Sequence, residues 1–409
     1  MSRVSFIHTA DLHLDSPFIG LMHLPQSILQ RVQESTFVSL KKVIDYAILK
    51  KVDFIVISGD LYDSKQRSLK AQIRLRNEMK RLENEGIQAY IIHGNHDPLN
   101  GSWLDLDWPE NVYFFKDKVE AIPFYKNGQL EAFIYGYSYP TRDVAENIAL
   151  QYEKKKVDCL HIGLLHGTIS SNTEHVPYAP FLLSDLQAKG FDYWALGHIH
   201  QRQLLSQFPP IVYPGNIQGR HKKEDGPKGC YYVELTQETS ELNFWETSDV
   251  IWENVEISIN DLSTIDQLLH SCQEKLDQIR RQHQGVLVNI LLTGTGELSS
   301  LLQGNEVLED IVSNLQEIEE NRKDFVYVYT FKNQTTSIVN IEKWKNEEHF
   351  IGDLLKHIEE YDGFEHALSS LYQHRQVRKF IEPLTAEEKQ ELLKEAEAWM
   401  MYELLSSVK

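Results

Sequence analysis

Asp11 and His13 stand two apart in the chain, and so do His198 and His200. Between these pairs fall Gly59-Asp60, Gly94-Asn95-His96-Asp97 and His166-Gly167. Carboxylates, an amide and imidazoles, with no thiol among them, form a donor set suited to hard-to-borderline divalent cations. Two cations about 3.5–4 Å apart can clamp both the attacking and the leaving oxygen of a hydrolytic displacement. The expected chemistry is therefore two-metal hydrolysis. Asp11 and His13, just after the first strand, can bite one metal from the same side, and His198 and His200 share their spacing at the last strand, with Ile199 pointing away. Asp60 follows a glycine, which permits the sharp exit that lets one carboxylate bridge two cations. Asn95 offers a neutral oxygen and His166 an imidazole.

Taken singly, a histidine at a strand end is more often structural than a ligand, and a Gly-Asp pair is weaker still. All of these features in one chain, in this order, carry the reading. His96 and Asp97 are left over once ligands are assigned. A histidine beside a metal ligand, with a neighbouring carboxylate to fix its tautomer, suits a general acid or transition-state stabiliser. The plainer alternative is that His96 only orients Asn95. His8, His93 and His161 fall within or at the ends of strands and read as core or supporting residues.

Each chemical group follows a short apolar run: Phe6-Ile7, Phe54 to Ile57, Tyr90 to Ile92, Leu160 to Leu165, and Tyr193 to Leu196. Such runs, ending in Gly or Asn, read as buried strands. In layered α/β folds the strand C-termini face a common crevice, so groups attached there converge. Helical patterns at 29–50 and 69–85 alternate with the strands, which predicts a layered α/β domain over 1–250. Strand-like stretches at 211–213, 230–233 and 242–245 are expected to complete a second sheet together.

Residues 251–335 read as a small α/β module: strand 255–259, helix 265–281, strand 286–292, helix 307–320 and strand 325–331. A linker at 333–337 leads to a helical region, 336–409, with three helical patterns. The last opens at Pro383, with Thr385 and Glu388 at capping-box spacing. Leu392, Leu393, Ala396, Trp399, Met400 and Leu404 follow at helical periods.

No run in the 409 residues approaches the ~20 apolar residues of a membrane span. The N-terminus lacks the look of a signal peptide. Three scattered cysteines, Cys159, Cys230 and Cys272, predict buried thiols in a reducing cytoplasm rather than a disulfide framework. The net charge of −19 is unevenly spread: residues 251–409 hold 15 Lys+Arg against 29 Asp+Glu, and the first 250 residues carry only −5. Two divalent cations would nearly cancel that deficit, so global acidity does not exclude a polyanionic substrate. It does argue against a broad, nonspecific basic DNA binder.

The motifs Asp11-Leu12-His13, Gly59-Asp60, Gly94-Asn95-His96-Asp97, His166-Gly167 and Gly197-His198-Ile199-His200 resemble the signature motifs of the calcineurin-like metallophosphoesterases. Within them the chain is similar to the SbcD-like DNA-repair nucleases, most closely the YhaO group, including Tyr213-Pro214-Gly215-Asn216 after the last ligand pair. The resemblance implies a sandwich of two mixed β-sheets flanked by helices, with a small α/β capping domain and a helical C-terminal tail. It implies that Asp11, His13, Asp60 and His200 hold one metal, and that Asp60, Asn95, His166 and His198 hold the other. His96 would contact the scissile phosphate, and the metal would be manganese. Asp15-Ser16-Pro17-Phe18 and Gly219-Arg220-His221-Lys222-Lys223-Glu224 depart from the family's usual sequence, so substrate preference and digestion polarity do not carry over.

The segment Lys65 to Arg81 carries Lys65, Arg67, Lys70, Arg74, Arg76, Lys80 and Arg81 against Glu78 alone. It reads as a DNA-contacting face or, more plainly, as a solvated helix. Arg220, Lys222 and Lys223, with His221, form a second candidate for backbone contact. Trp103, Leu104, Leu106 and Trp108 are ordinary core or, by the resemblance, part of a homodimer interface. The leading expectation is a cytoplasmic DNA phosphodiesterase, an exonuclease and possibly an endonuclease, serving DNA repair beside an SbcC-like coiled-coil ATPase. The rivals are a small-molecule phosphoesterase and a non-catalytic phosphoesterase-like scaffold.

Overall fold

The computed structural model describes residues 2–63, 68–101, 104, 106–170, 178–336, 350–359, 361–369 and 384–406. Lys65, Arg67, Trp103 and Pro383 lie outside them. By contact the chain divides into two compact units: residues 1–253 with 279–288 and 319–327, and residues 254–278 with 289–318 and 328–409.

The first unit is an α/β sandwich. In chain order it runs β1 (Arg3–Thr9), α1 (Gln26–Lys50), β2 (Phe54–Ser58), α2 (Leu69–Asn84), β3 (Gln88–Ile92), β4 (Val112–Phe114), β5 (Glu120–Lys126), β6 (Gln129–Gly136) and β7 (Leu160–His166). It continues through α3 (Leu183–Ala188), β8 (Tyr193–Gly197), β9 (Gln203–Gln207), β10 (Pro210–Tyr213), β11 (Gly229–Thr236) and β12 (Ser240–Glu246). One six-stranded sheet has the order β12-β11-β1-β2-β3-β4, and the other β5-β6-β7-β8-β10-β9. Both are mixed. β1, β2, β3 and β4 pair parallel while β11 joins β1 antiparallel, and β6, β7, β8 and β10 pair parallel between antiparallel edges.

Alternation along each strand builds the layers. Phe6, Phe54, Val56, Tyr90 and Ile92 of the first sheet pack against Ile134, Ile162, Leu164, Tyr193 and Val212 of the second. Their neighbours Ile7, Ile55, Ile57, Ala89 and Ile91 face outward onto Leu40, Val43 and Ile44 of α1 and Leu75, Met79 and Leu82 of α2. Tyr135, Leu165, Trp194, Leu196 and Tyr213 line the outer face of the second sheet with Ile148 and Leu186. Strands buried on both faces need apolar residues at every position, which is why their sequences read as continuous runs.

One expectation is corrected. The stretches at 211–213, 230–233 and 242–245 do not complete a single sheet: β10 joins the second sheet, whereas β11 and β12 form the outer edge of the first. Periodicity marks a strand but not its neighbour, and the hairpin's pairing with β1 is a long-range choice.

Beyond Glu246 run β13 (Val250–Ser258), α4 (Ile265–Ile279), β14 (Gly285–Thr293), α5 (Leu298–Leu301), α6 (Asn305–Glu317) and β15 (Val326–Asn333). The three strands form a sheet in the order β13-β14-β15. The expected linker at 333–337 is hydrogen-bonded as far as Thr336: Gln334 donates to the Leu292 carbonyl and Thr336 to that of Gly294. The tail holds α7 (Phe350–Glu359), α8 (Phe364–Ala367) and α9 (Ala386–Ser406). The capping box forms, with Thr385 N–H donating to Glu388 Oε2 at 2.8 Å and Glu388 N–H to Thr385 Oγ1 at 3.2 Å. On α9, Leu393 and Met400 are half-buried, whereas Leu392 and Trp399 are exposed. No helix among the described residues is long and apolar enough to cross a membrane.

Candidate metal centre

The five strand ends converge. β1, β2 and β3 deliver Asp11, His13, Asp60 and Asn95 from one sheet, and β7 and β8 deliver His166, His198 and His200 from the other. Adjacent exits are stitched by backbone hydrogen bonds, Asp11 N–H to Gly59 O and His13 N–H to Asp60 O, both 3.1 Å. At these exits the backbone turns left-handed: φ is 51° at Asp11, 40° at His13, 51° at Asp60 and 100° at His198. Such conformations cost of order 1–3 kcal/mol each and persist only where packing over-determines them. Here they swing the donors out of the sheet plane into one crevice. Two glycines make the convergence possible. A Cβ on Gly94 would meet Asp60 Oδ1 at 2.4 Å, and one on Gly197 would meet the Ser58 carbonyl at 1.9 Å.

Two groups of donors result, Asp11/His13/His200 and Asp60/His166/His198, each with ligand atoms within 4.8 Å of one another. Asp60 Oδ2 stands between them, 3.7 Å from His13 Nε2 and 3.4 Å from His166 Nε2. Asn95 Oδ1 lies 3.0 Å from His166 Nε2 and 3.1 Å from His198 Nδ1. All seven expected donors are thus brought together.

The arrangement fits cations. His13 Nδ1 faces Asp63 Oδ1 at 3.1 Å and His200 Nδ1 faces Glu224 Oε1 at 2.6 Å. Each ring therefore presents its Nε2 inward, and these two nitrogens are 3.1 Å apart. Two imidazole lone pairs turned toward one point, beside a fully buried Asp11 and Asp60, call for positive charge. The same demand shows in proton affinities. Burial pushes the Asp11 carboxyl up to about 6, although His200 and His166 oppose it. Burial, reinforced by Arg220, draws His13 down to about 3. Burial would also lower His166, but the Asp60 and Asp11 carboxylates override it and hold that imidazole at about 9.

A calcineurin-like phosphoesterase family model matches residues 4–202, and one for the middle domain of metallophosphoesterase YhaO matches residues 252–336. Metallophosphoesterase YhaO of Bacillus subtilis is 39% identical over 399 residues, 97% of this chain and 97% of that protein. The chain belongs to the YhaO-type calcineurin-like metallophosphoesterases. It is also similar to the DNA double-strand break repair protein Mre11 of Sulfurisphaera tokodaii, 28% identical over 55% of this chain and 59% of that one. Mre11 of Sulfolobus acidocaldarius is 22% identical over 78% of this chain and 83% of its own. Family and donor clusters together mark a metal-dependent hydrolase that uses divalent ions.

Within this family site, Asp97 departs from expectation. Its carboxylate accepts N–H bonds from Gly94 at 2.7 Å and Leu61 at 3.0 Å, and lies 3.2 Å from His93 Nδ1. It is fully buried and fixes the Gly94 turn rather than the His96 ring. His96 is instead tethered by Asp63, whose backbone carbonyl is 3.1 Å from His96 Nδ1. The His96 N–H donates to Asp60 Oδ1 at 2.9 Å. Asp63, His13 and His96 form a third cluster of possible ligand atoms. Burial would raise the Asp63 carboxyl, but the adjacent His13 imidazole and the Arg220 charge bring it down to about 2. Asp63 and Glu224 were not identified from the sequence. Asp63 follows Asp60 by three residues, a spacing that signals it; Glu224, on an irregular loop, gives no such signal.

The expected DNA-contact residues divide. Lys70 pairs with Glu34 at 2.6 Å, Arg74 also pairs with Glu34, and Arg81 pairs with Asp45 and Glu78. Arg220 turns inward to Asp63 and lies 3.7 Å from Glu224, whereas Lys222 and Lys223 are exposed. Trp108 is half-buried and packs on Phe114 at 4.9 Å against the edge of the core, and Leu104 is half exposed.

Proposed function

We propose that this chain is a manganese-dependent, two-metal DNA phosphodiesterase, an exonuclease with endonuclease capacity, that acts in cytoplasmic DNA repair beside an SbcC-like coiled-coil ATPase. The observation that carries the reading is the position of Asp60 Oδ2 between the two donor groups, within 3.7 Å of an imidazole nitrogen in each. Asp11, His13, Asp60 and His200 would hold one ion, and Asp60, Asn95, His166 and His198 the other. When bound, the ions supply Lewis-acid neutralisation of phosphoryl charge.

The protein's own groups do the remaining work. Asp63 ties down the Nδ1 edge of His96, which leaves Nε2 of a ring with about a third of its side chain exposed to meet a phosphate oxygen. There it can donate a hydrogen bond to charge developing in the transition state. Lys222 and Lys223 offer backbone-phosphate contacts at the rim, without reading sequence. The relationship to proteins named for DNA double-strand break repair supports a DNA substrate. The exposed Trp399 and Leu392 on α9 suit a helix-in-groove contact with the ATPase, and Leu104 suits a homodimer face.

One observation favours a small-substrate phosphoesterase instead: Lys70, Arg74 and Arg81 already have acidic partners. Incubation with end-labelled single- and double-stranded DNA and a nucleotide panel, with manganese and with chelator, separates the readings. Shortened DNA with manganese alone supports the nuclease. Turnover confined to nucleotides transfers the assignment to the rival. Two bound ions with no turnover leaves a scaffold.

A further inference from the structure

Glu224 lies outside both donor groups, on the loop after β10, yet only 6% of its surface is exposed. A buried carboxylate is tolerated only when its charge is matched by donors. Oε2 accepts the Arg220 backbone N–H at 2.7 Å and Asn216 Nδ2 at 2.8 Å. Oε1 lies 2.6 Å from His200 Nδ1, with His221 Nε2 at 3.3 Å and Arg220 Nη2 at 3.7 Å. Two donors anchored on Oε2 leave the carboxylate one orientation, so Oε1 cannot turn away from His200. Arg220 Nη2, which can only donate, also lies 3.3 Å from His200 Nδ1, but the 2.6 Å contact with a carboxylate that only accepts is the shorter and decides: Nδ1 carries the hydrogen and Nε2 keeps its lone pair. That Nε2 is the atom facing His13 inside the Asp11/His13/His200 group.

We infer that Glu224 is the positioning residue for this group. It locks the tautomer and ring orientation of His200, and so sets the affinity of one of the two cation sites. The inference rests on the two-ion reading above. Carboxylates behind metal-ligating histidines typically change metal affinity by about 10–100-fold. The segment Arg220 to Glu224 thereby gains a role distinct from substrate contact: it braces His200 from behind.

Glu224→Gln keeps the shape and offers a sharp test. If the amide oxygen stays with Arg220 and Asn216, its NH2 meets His200 Nδ1 and drives the proton to Nε2, where it blocks ligation. If the amide turns over, two N–H donors face an NH2 group. Manganese titration by calorimetry should show one of two ions weakened about 10–100-fold and the other unchanged. In a His200→Ala background the substitution should add no further loss. In metal-free protein labelled with 15N-histidine, the His200 resonances should change from the Nδ1–H to the Nε2–H tautomer. Asn216→Ser, which loosens Oε2 without removing the charge, should weaken the same ion to a smaller degree. Affinity within about twofold of wild type in Glu224→Gln, or a further loss in the His200→Ala background, overturns the inference. Wild-type protein taking up fewer than two manganese ions would instead overturn the two-ion reading. The metal-free tautomer measurement judges Glu224 in either case.

Discussion

The crevice at the strand ends and the basic face of α2 are both rich in charge, and they handle it in opposite ways. In the crevice, Asp11 and Asp60 are fully buried, and two imidazole nitrogens face each other at 3.1 Å. On α2, Lys70 and Arg74 meet Glu34, and Arg81 meets Asp45 and Glu78. One region concentrates buried donors around a single point, whereas on the other Lys70, Arg74 and Arg81 already have acidic neighbours. Unbalanced buried donors are therefore the stronger functional signal, and a run of like charges in sequence is the weaker one.

The sharpest way to break this contrast is at Asp60. On the two-ion reading, Asp60→Ala should abolish uptake of both metal ions and all measurable hydrolysis, whereas His13→Ala should mainly weaken one ion. Metal analysis of purified variants decides it, and two retained ions in Asp60→Ala would remove the shared-ligand assignment. His96→Ala should keep both ions and DNA binding while turnover falls about 10²–10⁴-fold. Near-normal turnover would leave His96 only an orienting role.

Stability measurements sharpen the same contrast. The folded His166 imidazole, held at about 9 against a usual 6.5, contributes stability that is fully present below pH 6.5. That contribution disappears as pH rises through 9, so metal-free protein should lose up to roughly 3 kcal/mol over this interval. A flat melting temperature across it would contradict the ion pair with Asp60. Asp97→Ala, which strands the buried N–H groups of Gly94 and Leu61, should cost about 1–3 kcal/mol for each of them in denaturant unfolding. The smallest effect belongs to α2. Charge reversal at Arg74 and Arg81 should change stability by no more than about 1 kcal/mol per pair and leave the salt dependence of DNA binding intact. A flattened salt dependence would restore α2 as a DNA face.

The layered fold and the seven donors were legible because each donor terminates an apolar run, and strand ends in such a fold converge. The remainder depended on contacts that adjacency in sequence does not encode. Asp97 follows His96 directly, yet the turn folds it back onto the Gly94 N–H, three residues earlier. Glu224 reaches His200 across 24 residues, from a loop with no periodic pattern. The hairpin of β11 and β12 shows the same limit, since alternation fixes which face a residue takes but not which strand it pairs with.

The left-handed exits at Asp11 and Asp60 have a bearing on how such a site can change over evolutionary time. Asparagine tolerates that backbone about as well as aspartate, whereas a β-branched residue does not. A lineage can therefore discard charge at either position through a single Asp→Asn step and keep every turn in place, leaving a well-folded relative without catalysis. Shifting a donor one position along the chain is closed to it, because the adjacent positions Ala10, Leu12 and Leu61 are buried, Leu12 and Leu61 among apolar side chains. Activity at these positions can be silenced by small steps, but it cannot migrate by them.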